Sequence, residues 1–139
     1  LFPDIGWRRH PDERAYGAFN QVLTAPFGGA DHRDRALIAT AVYYRYSGDE
    51  DFPRELKRAG LLAPADEKHA HRLGLAARLA FALSASAPGE LPRYRLKLTP
   101  SKVIVEVPGS RRTIAAEGVQ KRLGALAESF GRRGEILIG

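Results

Sequence analysis

Histidines and carboxylates are the side chains with which this chain could hold a metal ion, and their spacing does not favour one. His69 and His71 lie two residues apart in a predicted helix, which directs them to nearly opposite faces. The pair Asp31-His32 reverses the His-Asp order of metal-dependent phosphohydrolases. The carboxylates at 49–51 do not converge on a cation without an EF-hand or similar frame. We therefore expect no metal site in this chain.

Arginines offer a different chemistry, which is the binding of anions. Arg9 and His10 directly precede Pro11, which predicts a helix N-terminus, and free backbone N–H groups at such a terminus favour anions. Arg45 lies at the end of another predicted helix, where its guanidinium either contacts the terminal carbonyl groups or meets an anion in a groove. For Arg9 and His10 the alternative is a solvated arginine and a histidine that caps a turn. Arg9, His10 and Arg45 are our first candidates for phosphate contacts.

A second set of cations follows the period of a β-strand. Arg93, Arg95 and Lys97 alternate with apolar residues, so the cations share one face of a predicted strand. A cationic sheet face holds a phosphate chain by charge alone. Readers of single-stranded nucleic acid add aromatic rings for base stacking, and the pattern turns Tyr94 away from the cations, which argues against nucleic acid. The alternative is an ordinary solvated sheet face. The residues predicted to point inward are Tyr94, Leu96 and Leu98.

Helices are predicted to position the first candidates. Pro11 begins a helix that runs to about Leu23, and the next helix has Asp31 as its N-cap and ends at Gly48. The longest helix is predicted over 64–86, and its apolar surface is so wide that we expect burial on more than one side. The buried stripe predicted for the middle helix is Leu37, Ile38, Ala41 and Val42. In the longest helix, two stripes are predicted: Leu73, Ala76, Ala77, Ala80 and Phe81, and beside them Leu75, Leu79 and Leu83.

The hydrophobic period changes from 3.6 to 2 after a turn at 87–90, which predicts a second kind of structure. Strands are predicted over 93–98, 102–107 and 111–114, then a helix over 116–130 that Gly131 ends, then a strand over 135–138. The fold class is therefore α+β. We expect a helical domain over 1–88 and a small β-β-β-α-β subdomain over 89–139.

Composition limits the classes of protein to which the chain belongs. The 139 residues carry a formal charge of +6, and the 51 residues from 89 onward hold 10 Lys/Arg against 5 Asp/Glu. This excess indicates an anionic partner or a solvated basic surface. The sequence has no cysteine, no signal peptide and no apolar run of membrane-spanning length, which favours the cytoplasm and no membrane partner. It also has no methionine, so we expect a piece of a longer chain, truncated at its N-terminus.

Five segments together resemble the C-terminal region of the exopolyphosphatase / guanosine pentaphosphate phosphohydrolase family. They are DIGWRRHPDERAYGAF at 4–19, DHRDRALIATAVYYRYSG at 31–48, AHRLGLAARLAFALS at 70–84, LKLTPSKVIVEV at 96–107 and VQKRLGALAESFG at 119–131. They occur in the family's order and cover nearly the whole chain. Within them, the motif WRRHP spans Trp7 to Pro11 and the motif RYSG spans Arg45 to Gly48.

The resemblance implies a fold and a function. Family enzymes are hydrolases that remove terminal phosphates from polyphosphate or from pppGpp, using magnesium or a similar divalent metal in N-terminal catalytic domains. The chain would then be a non-catalytic region, inactive alone, with a helical domain related to the HD fold but lacking its metal ligands. It would guide polyphosphate and help to form a homodimer. A pppGpp phosphohydrolase as the parent, or a nucleic-acid-binding module that uses the basic sheet face, is the alternative.

Overall fold

A computed structural model describes residues 11–25, 31–48, 59–84, 89, 91–114 and 117–139. The chain divides into two compact units, Leu1–Leu75 and Ala76–Gly139. Each unit is described by itself, and the predicted domain boundary between residues 88 and 89 stays a prediction. None of the helices in the described ranges combines the length and the apolar character needed to cross a bilayer.

The first unit is helical in its described part. It contains α1 (Pro11–Thr24), α2 (His32–Ser47) and the N-terminal half of α3 (Pro64–Ser84). α1 begins at Pro11 and ends within one residue of the predicted Leu23. It packs against α2 and shares one buried cluster with it, so these helices form a common core. The cluster is Ala15, Phe19, Ala39, Tyr43 and Tyr44, with Val22, Leu23 and Tyr46 partly buried beside it.

Both ends of α2 follow from local sequence. The Asp31 side chain accepts a hydrogen bond of 2.8 Å from the backbone N–H of Asp34, which satisfies a donor that the first turn would leave unpaired. Gly48 has φ of 71°, and its N–H donates to the Tyr44 carbonyl at 2.8 Å. The predicted cap and the predicted end of this helix are therefore confirmed.

The stripe predicted to be buried in α2 is wrong. Ile38 is 43% exposed, whereas Tyr43 and Tyr44 are almost completely buried. α2 packs on two neighbouring helices. α1 packs on it through their shared buried cluster, and Gly74 of α3 lies against Ala41 and Tyr44. The tyrosine rings meet edge to face at 5.5 Å, so large amphipathic rings fill the space that the pattern assigned to aliphatic residues. The buried residues of α2 are Ala36, Ala39, Thr40, Tyr43 and Tyr44.

α3 is the predicted long helix over 64–84, and the last two residues of the prediction, 85 and 86, lie outside the described residues. One of its two predicted stripes is buried, namely Leu75, Leu79 and Leu83. The other is not, because Leu73 is 42% and Phe81 is 50% exposed. The expectation of burial is therefore wrong for these two residues.

The second unit is built on a three-stranded sheet in the order β1-β2-β3. β1 (Arg95–Leu98) pairs antiparallel with β2 (Lys102–Val107), and β3 (Arg133–Ile138) pairs parallel with β2 on its other side. The helix α4 (Glu117–Ser129) connects β2 to β3, as parallel neighbours require a crossover. The predicted mixture of strands and a helix in this half of the chain is confirmed.

One face of this sheet is covered by α4. The valines of β2 and the apolar residues of α4 are buried, and this helix packs on the strand. α4 approaches β3 closely at Gly134, where a Cβ would lie 2.9 Å from Leu123 Cγ. Gly131, with φ of 68°, ends the helix in the left-handed conformation that was predicted. The buried residues are Val103, Val105, Val107, Val119, Leu123, Leu126 and Ala127.

The third strand predicted over 111–114 is wrong. Gly109–Ile114 forms a 3₁₀ segment, in which the N–H of Arg111 donates to the Pro108 carbonyl at 2.8 Å. Both edges of β2 are already occupied, one by β1 and the other by β3. A strand at 111–114 would find no free edge on β2, so the subdomain order is β-β-α-β with a 3₁₀ turn before the helix.

Candidate phosphate-binding surface

The sequence candidates lie in different parts of the chain. Arg9 and His10 lie outside the described residues, so their predicted role stays a prediction. Arg45 belongs to the first unit, and the cations of the sheet belong to the second. Each unit therefore has its own candidates.

Arg45 lies in the last turn of α2, where a cation complements the negative end of the helix dipole. Its guanidinium carbon is 4.5 Å from the centroid of the Tyr46 ring, which is the distance of a cation–π contact. A Cβ placed on Gly74 would lie 3.0 Å from the Arg45 backbone nitrogen, so the close approach of α3 fixes this turn. The side chain is half-buried, and its position agrees with the helix-end interpretation while leaving part of it accessible to an anion.

The histidines of α3 lie in different surroundings, as their spacing predicts. His69 is exposed, whereas His71 is half-buried with its ring 4.4 Å from the ring of Tyr44. Within the described ranges, no three His, Asp or Glu side chains come together in a way that would hold a metal ion.

An ion pair joins α2 to α3 in the first unit. Arg33 donates two hydrogen bonds to the two carboxylate oxygens of Asp66, at 2.8 and 2.9 Å. The hydrogen bond and the charge of Arg33 lower the pKa of Asp66 below its ordinary value, and Asp66 in turn raises the pKa of Arg33. Two hydrogen bonds hold this guanidinium in one geometry, so the pair links the first turns of α2 and α3.

The predicted row of three cations is broken at its first member. Arg93 belongs to a 3₁₀ turn, Leu91–Arg93, and the strand begins only at Arg95. The N–H of Tyr94 donates to the Leu91 carbonyl at 3.1 Å, which turns the chain before the ladder starts. Arg95 and Lys97 remain on one face of β1, the face away from α4, and Arg93 is not part of their row.

The face of the sheet opposite α4 is wider than the predicted row, and we call it the outer face. The register places Glu106 opposite Arg95, and Arg133 beside Lys102. Sequence reasoning missed the contributions of β2 and β3 because only the strand order brings them next to β1. The outer face consists of Arg95, Lys97, Lys102, Ile104, Glu106, Arg133, Glu135 and Leu137.

Carboxylates partner the lysines of the outer face. Lys97 Nζ lies 3.1 Å from Glu106 Oε2, and Lys102 Nζ lies 3.3 Å from Glu135 Oε1. Both pairs are substantially exposed, and such pairs contribute only about 0–1 kcal/mol each. A polyanion can therefore displace these carboxylates at small cost.

The arginines of the outer face differ from the lysines. Within the described part of the chain, neither Arg95 nor Arg133 forms an ion pair. They lie at opposite corners of the face, four residues apart along the strands and two strands apart across them. That places their Cα atoms about 16 Å apart, from a rise of ~3.3 Å per residue and a strand spacing of ~4.8 Å. A chain of phosphates is one kind of anion that could contact both.

The helix-covered face of the same unit has a different chemistry. A cavity of about 290 Å³ opens there, and its lining is almost entirely apolar. Tyr94 and its neighbour Arg95 both line this cavity. None of the eight outer-face residues is aromatic. The lining includes Leu79, Leu83, Leu91, Tyr94, Leu96 and Leu126.

Comparison with known proteins agrees with the resemblance drawn from the sequence. The family model described as "Exopolyphosphatase, C-terminal" matches residues 1–137, which is nearly the whole chain and includes both units. A comparison with curated proteins finds no match. The chain corresponds to the C-terminal region of exopolyphosphatases, a family of hydrolases, and it belongs to the exopolyphosphatase C-terminal family.

Proposed function

We propose that this chain binds the polyphosphate substrate of an exopolyphosphatase and leaves hydrolysis to other domains of the enzyme. The observation that carries the proposal is the outer face of a chain in this family, on which four cations surround two carboxylates. The cations are Arg95, Lys97, Lys102 and Arg133.

Charge and geometry support a long phosphate chain as the ligand. Arg95 and Arg133 have planar guanidinium groups that suit two-point contacts with phosphate oxygens, and their separation is spanned by a chain rather than by one phosphate. Lys97 and Lys102 lie along the way and add point charges once a phosphate replaces the carboxylates beside them. The binding is then mostly electrostatic and weakens steeply with salt.

Arg45 supplies a second contact in the proposal, independent of the sheet. Its guanidinium is held over Tyr46, so little further side-chain entropy is lost when it contacts a phosphate. Arg9 and His10 keep their predicted role beside it. In the same proposal the helical domain is related to the HD fold, the chain contributes to a homodimer, and the divalent metal belongs to the catalytic domains.

Nucleic acid fits the outer face less well than polyphosphate does. Proteins that bind single strands stack bases on aromatic rings, and the outer face has none among its eight residues. The proposal therefore predicts that polyphosphate displaces single-stranded DNA of equal charge. Adding pppGpp to the same competition separates the two substrates that the family resemblance leaves open.

The experiment is a titration of long polyphosphate against the 139-residue chain at about 50 and 200 mM salt. The double variant Arg95→Gln/Arg133→Gln should weaken binding and flatten its salt dependence, by about one unit of the log–log slope per arginine. Lys121→Gln is the matched control, because Lys121 lies exposed on α4 rather than on the outer face. Equal losses in the two variants would contradict an outer-face site.

A further inference from the structure

The first strand of the sheet has an open edge. β1 pairs with β2 on one side, and no strand of the described residues lies on its other side. The Thr99 N–H donates to the Lys102 carbonyl at 2.9 Å, which makes Thr99 and Lys102 a hydrogen-bonded pair. Hydrogen-bonded and non-hydrogen-bonded pairs alternate along an antiparallel ladder. The backbone N–H and C=O groups of Leu96 and Leu98 therefore point away from β2, towards the open edge.

The side chains at the same two positions are exposed although they are large and apolar. Leu96 is 53% and Leu98 is 55% exposed. Leu96 lies opposite Val105 and Leu98 lies opposite Val103, so both leucines are on the face of the sheet that α4 covers. Leu96 also borders the apolar cavity of about 290 Å³. Among the described residues, the edge thus combines backbone groups that have no strand partner with uncovered apolar surface, which natural sheets usually avoid.

The other face of β1 at this edge is cationic. Arg95 and Lys97 alternate with the two leucines, and Arg95 has no ion pair within the described residues. A strand added here would meet positive charge on one side and leucine on the other. Its complementary pattern is an alternation of acidic and large apolar residues.

We propose that the open edge of β1 accepts an extended segment of a partner protein in which acidic residues alternate with large apolar ones. The segment adds as a fourth strand, with main-chain hydrogen bonds to Leu96 and Leu98. Its carboxylates lie opposite Arg95 and Lys97, and one apolar side chain enters the cavity beside Leu96. This goes beyond polyphosphate binding, because an inorganic chain uses neither the backbone groups nor the leucines.

A second copy of the chain suits this edge poorly. Two β1 strands that pair antiparallel about Leu96 place Arg95 opposite Lys97 of the other copy. Pairing about Lys97 places the two lysines opposite each other. Like charges directly opposite in a sheet are destabilising, so the charge pattern selects against self-pairing.

The test uses the full 139-residue chain and a fluorescein-labelled peptide with the core EVEIEV, measured by anisotropy. Three matched peptides are KVKIKV, QVQIQV and an EVEIEV peptide N-methylated at alternate residues. We expect EVEIEV to bind most tightly, QVQIQV more weakly, and KVKIKV and the N-methylated peptide not measurably. Equal binding of EVEIEV and its N-methylated form would overturn strand addition, and equal binding of KVKIKV would overturn charge complementarity.

Two variants locate the site. Arg95→Gln should weaken the binding of EVEIEV about two- to fivefold, which is the effect expected of losing one cross-strand pair. The affinity for QVQIQV should stay unchanged. Leu96→Pro removes an N–H that faces the open edge and not β2, so it should abolish peptide binding while the circular dichroism spectrum is kept. Unchanged EVEIEV affinity in Arg95→Gln would overturn the proposal. So would sedimentation that shows β1-dependent dimers in place of peptide binding.

Discussion

Arg95 and Glu106 are direct cross-strand neighbours in the antiparallel pair of β1 and β2, yet no ion pair joins them. The Glu106 carboxylate lies instead 3.1 Å from Lys97 Nζ, and Lys97 is two residues further along the same strand than Arg95. Lys102 and Glu135 are arranged in the same diagonal way, at 3.3 Å. The sheet thus pairs its lysines with carboxylates and leaves its arginines, the better phosphate ligands, available.

This relationship predicts the effect of removing an outer-face carboxylate. Glu106→Gln frees Lys97 and raises the net positive charge of the face, so polyphosphate should bind roughly two- to fivefold more tightly at low salt, the range expected of an exposed ion pair. The measurement is a polyphosphate titration of the variant. Glu128→Gln on the exposed side of α4 makes the same change of charge elsewhere and should leave the affinity nearly unchanged. A similar gain in both variants would mean that only net charge matters.

The packing of α3 on α2 predicts a large effect at Gly74. A Cβ there would lie 2.5 Å from the Ala41 carbonyl oxygen and 2.6 Å from Tyr44 Cβ, so the two helices must move apart. We expect Gly74→Ala to lower the free energy of unfolding by about 1–3 kcal/mol, the cost of overpacking. Gly124→Ala in α4 is the control, since nothing lies within 4 Å of its added Cβ, and it should gain up to about 1 kcal/mol from helix propensity. Urea denaturation measures both, and a stabilised Gly74→Ala would refute the close approach.

The N-cap of α2 predicts a second stability effect. Asp31→Ala removes the acceptor for the Asp34 N–H and should cost about 1 kcal/mol, within the range of ~0.5–2 kcal/mol for lost caps. Asp31→Asn keeps an acceptor oxygen and should stay within a few tenths of a kcal/mol of the parent. Thermal unfolding of the three proteins gives the comparison. A cost as large for asparagine as for alanine would show that the charge, not the hydrogen bond, is what matters.

The Arg33–Asp66 pair predicts a pH dependence of stability. Because the pKa of Asp66 is lowered in the folded chain, the pair stabilises fully above the ordinary aspartate pKa. That contribution is lost as the pH falls through the ordinary value towards the lowered one. The difference in Tm between the parent and Asp66→Asn should therefore be positive near neutral pH and vanish in acid. Arg33→Gln should show the same trend, and a difference that is constant with pH would contradict the pair's role.

Local signals in the sequence were enough for element ends and for single strands. The cap at Asp31 and the helix ends at Gly48 and Gly131 each depend on residues within a few positions. These features need only turn chemistry and periodicity, so they could be predicted without knowing the fold. The burial predicted for Leu96 and Leu98 is wrong, because both side chains are more than half exposed and all four residues of β1 are exposed.

Non-local pairing set the limits of prediction. The third strand failed because β3, from the end of the chain, occupies the edge of β2 that a strand at 111–114 would need. The prediction of the buried stripe in α2 failed because both α1 and α3 pack on this helix. A single helical period in the sequence does not reveal two packing partners. For the same reason Lys102 and Arg133 joined the candidate site only once the strand order was known. Arg93 stays a predicted phosphate contact, although it lies in a 3₁₀ turn and not in the strand.

The most direct test of the central claim is the salt dependence of polyphosphate binding by this chain and by its Arg95→Gln/Arg133→Gln variant. The account predicts tight binding at about 50 mM salt that falls steeply by about 200 mM, and a slope that is about two units shallower in the variant. Absence of binding at low salt, or a variant whose slope equals that of the parent, would contradict it.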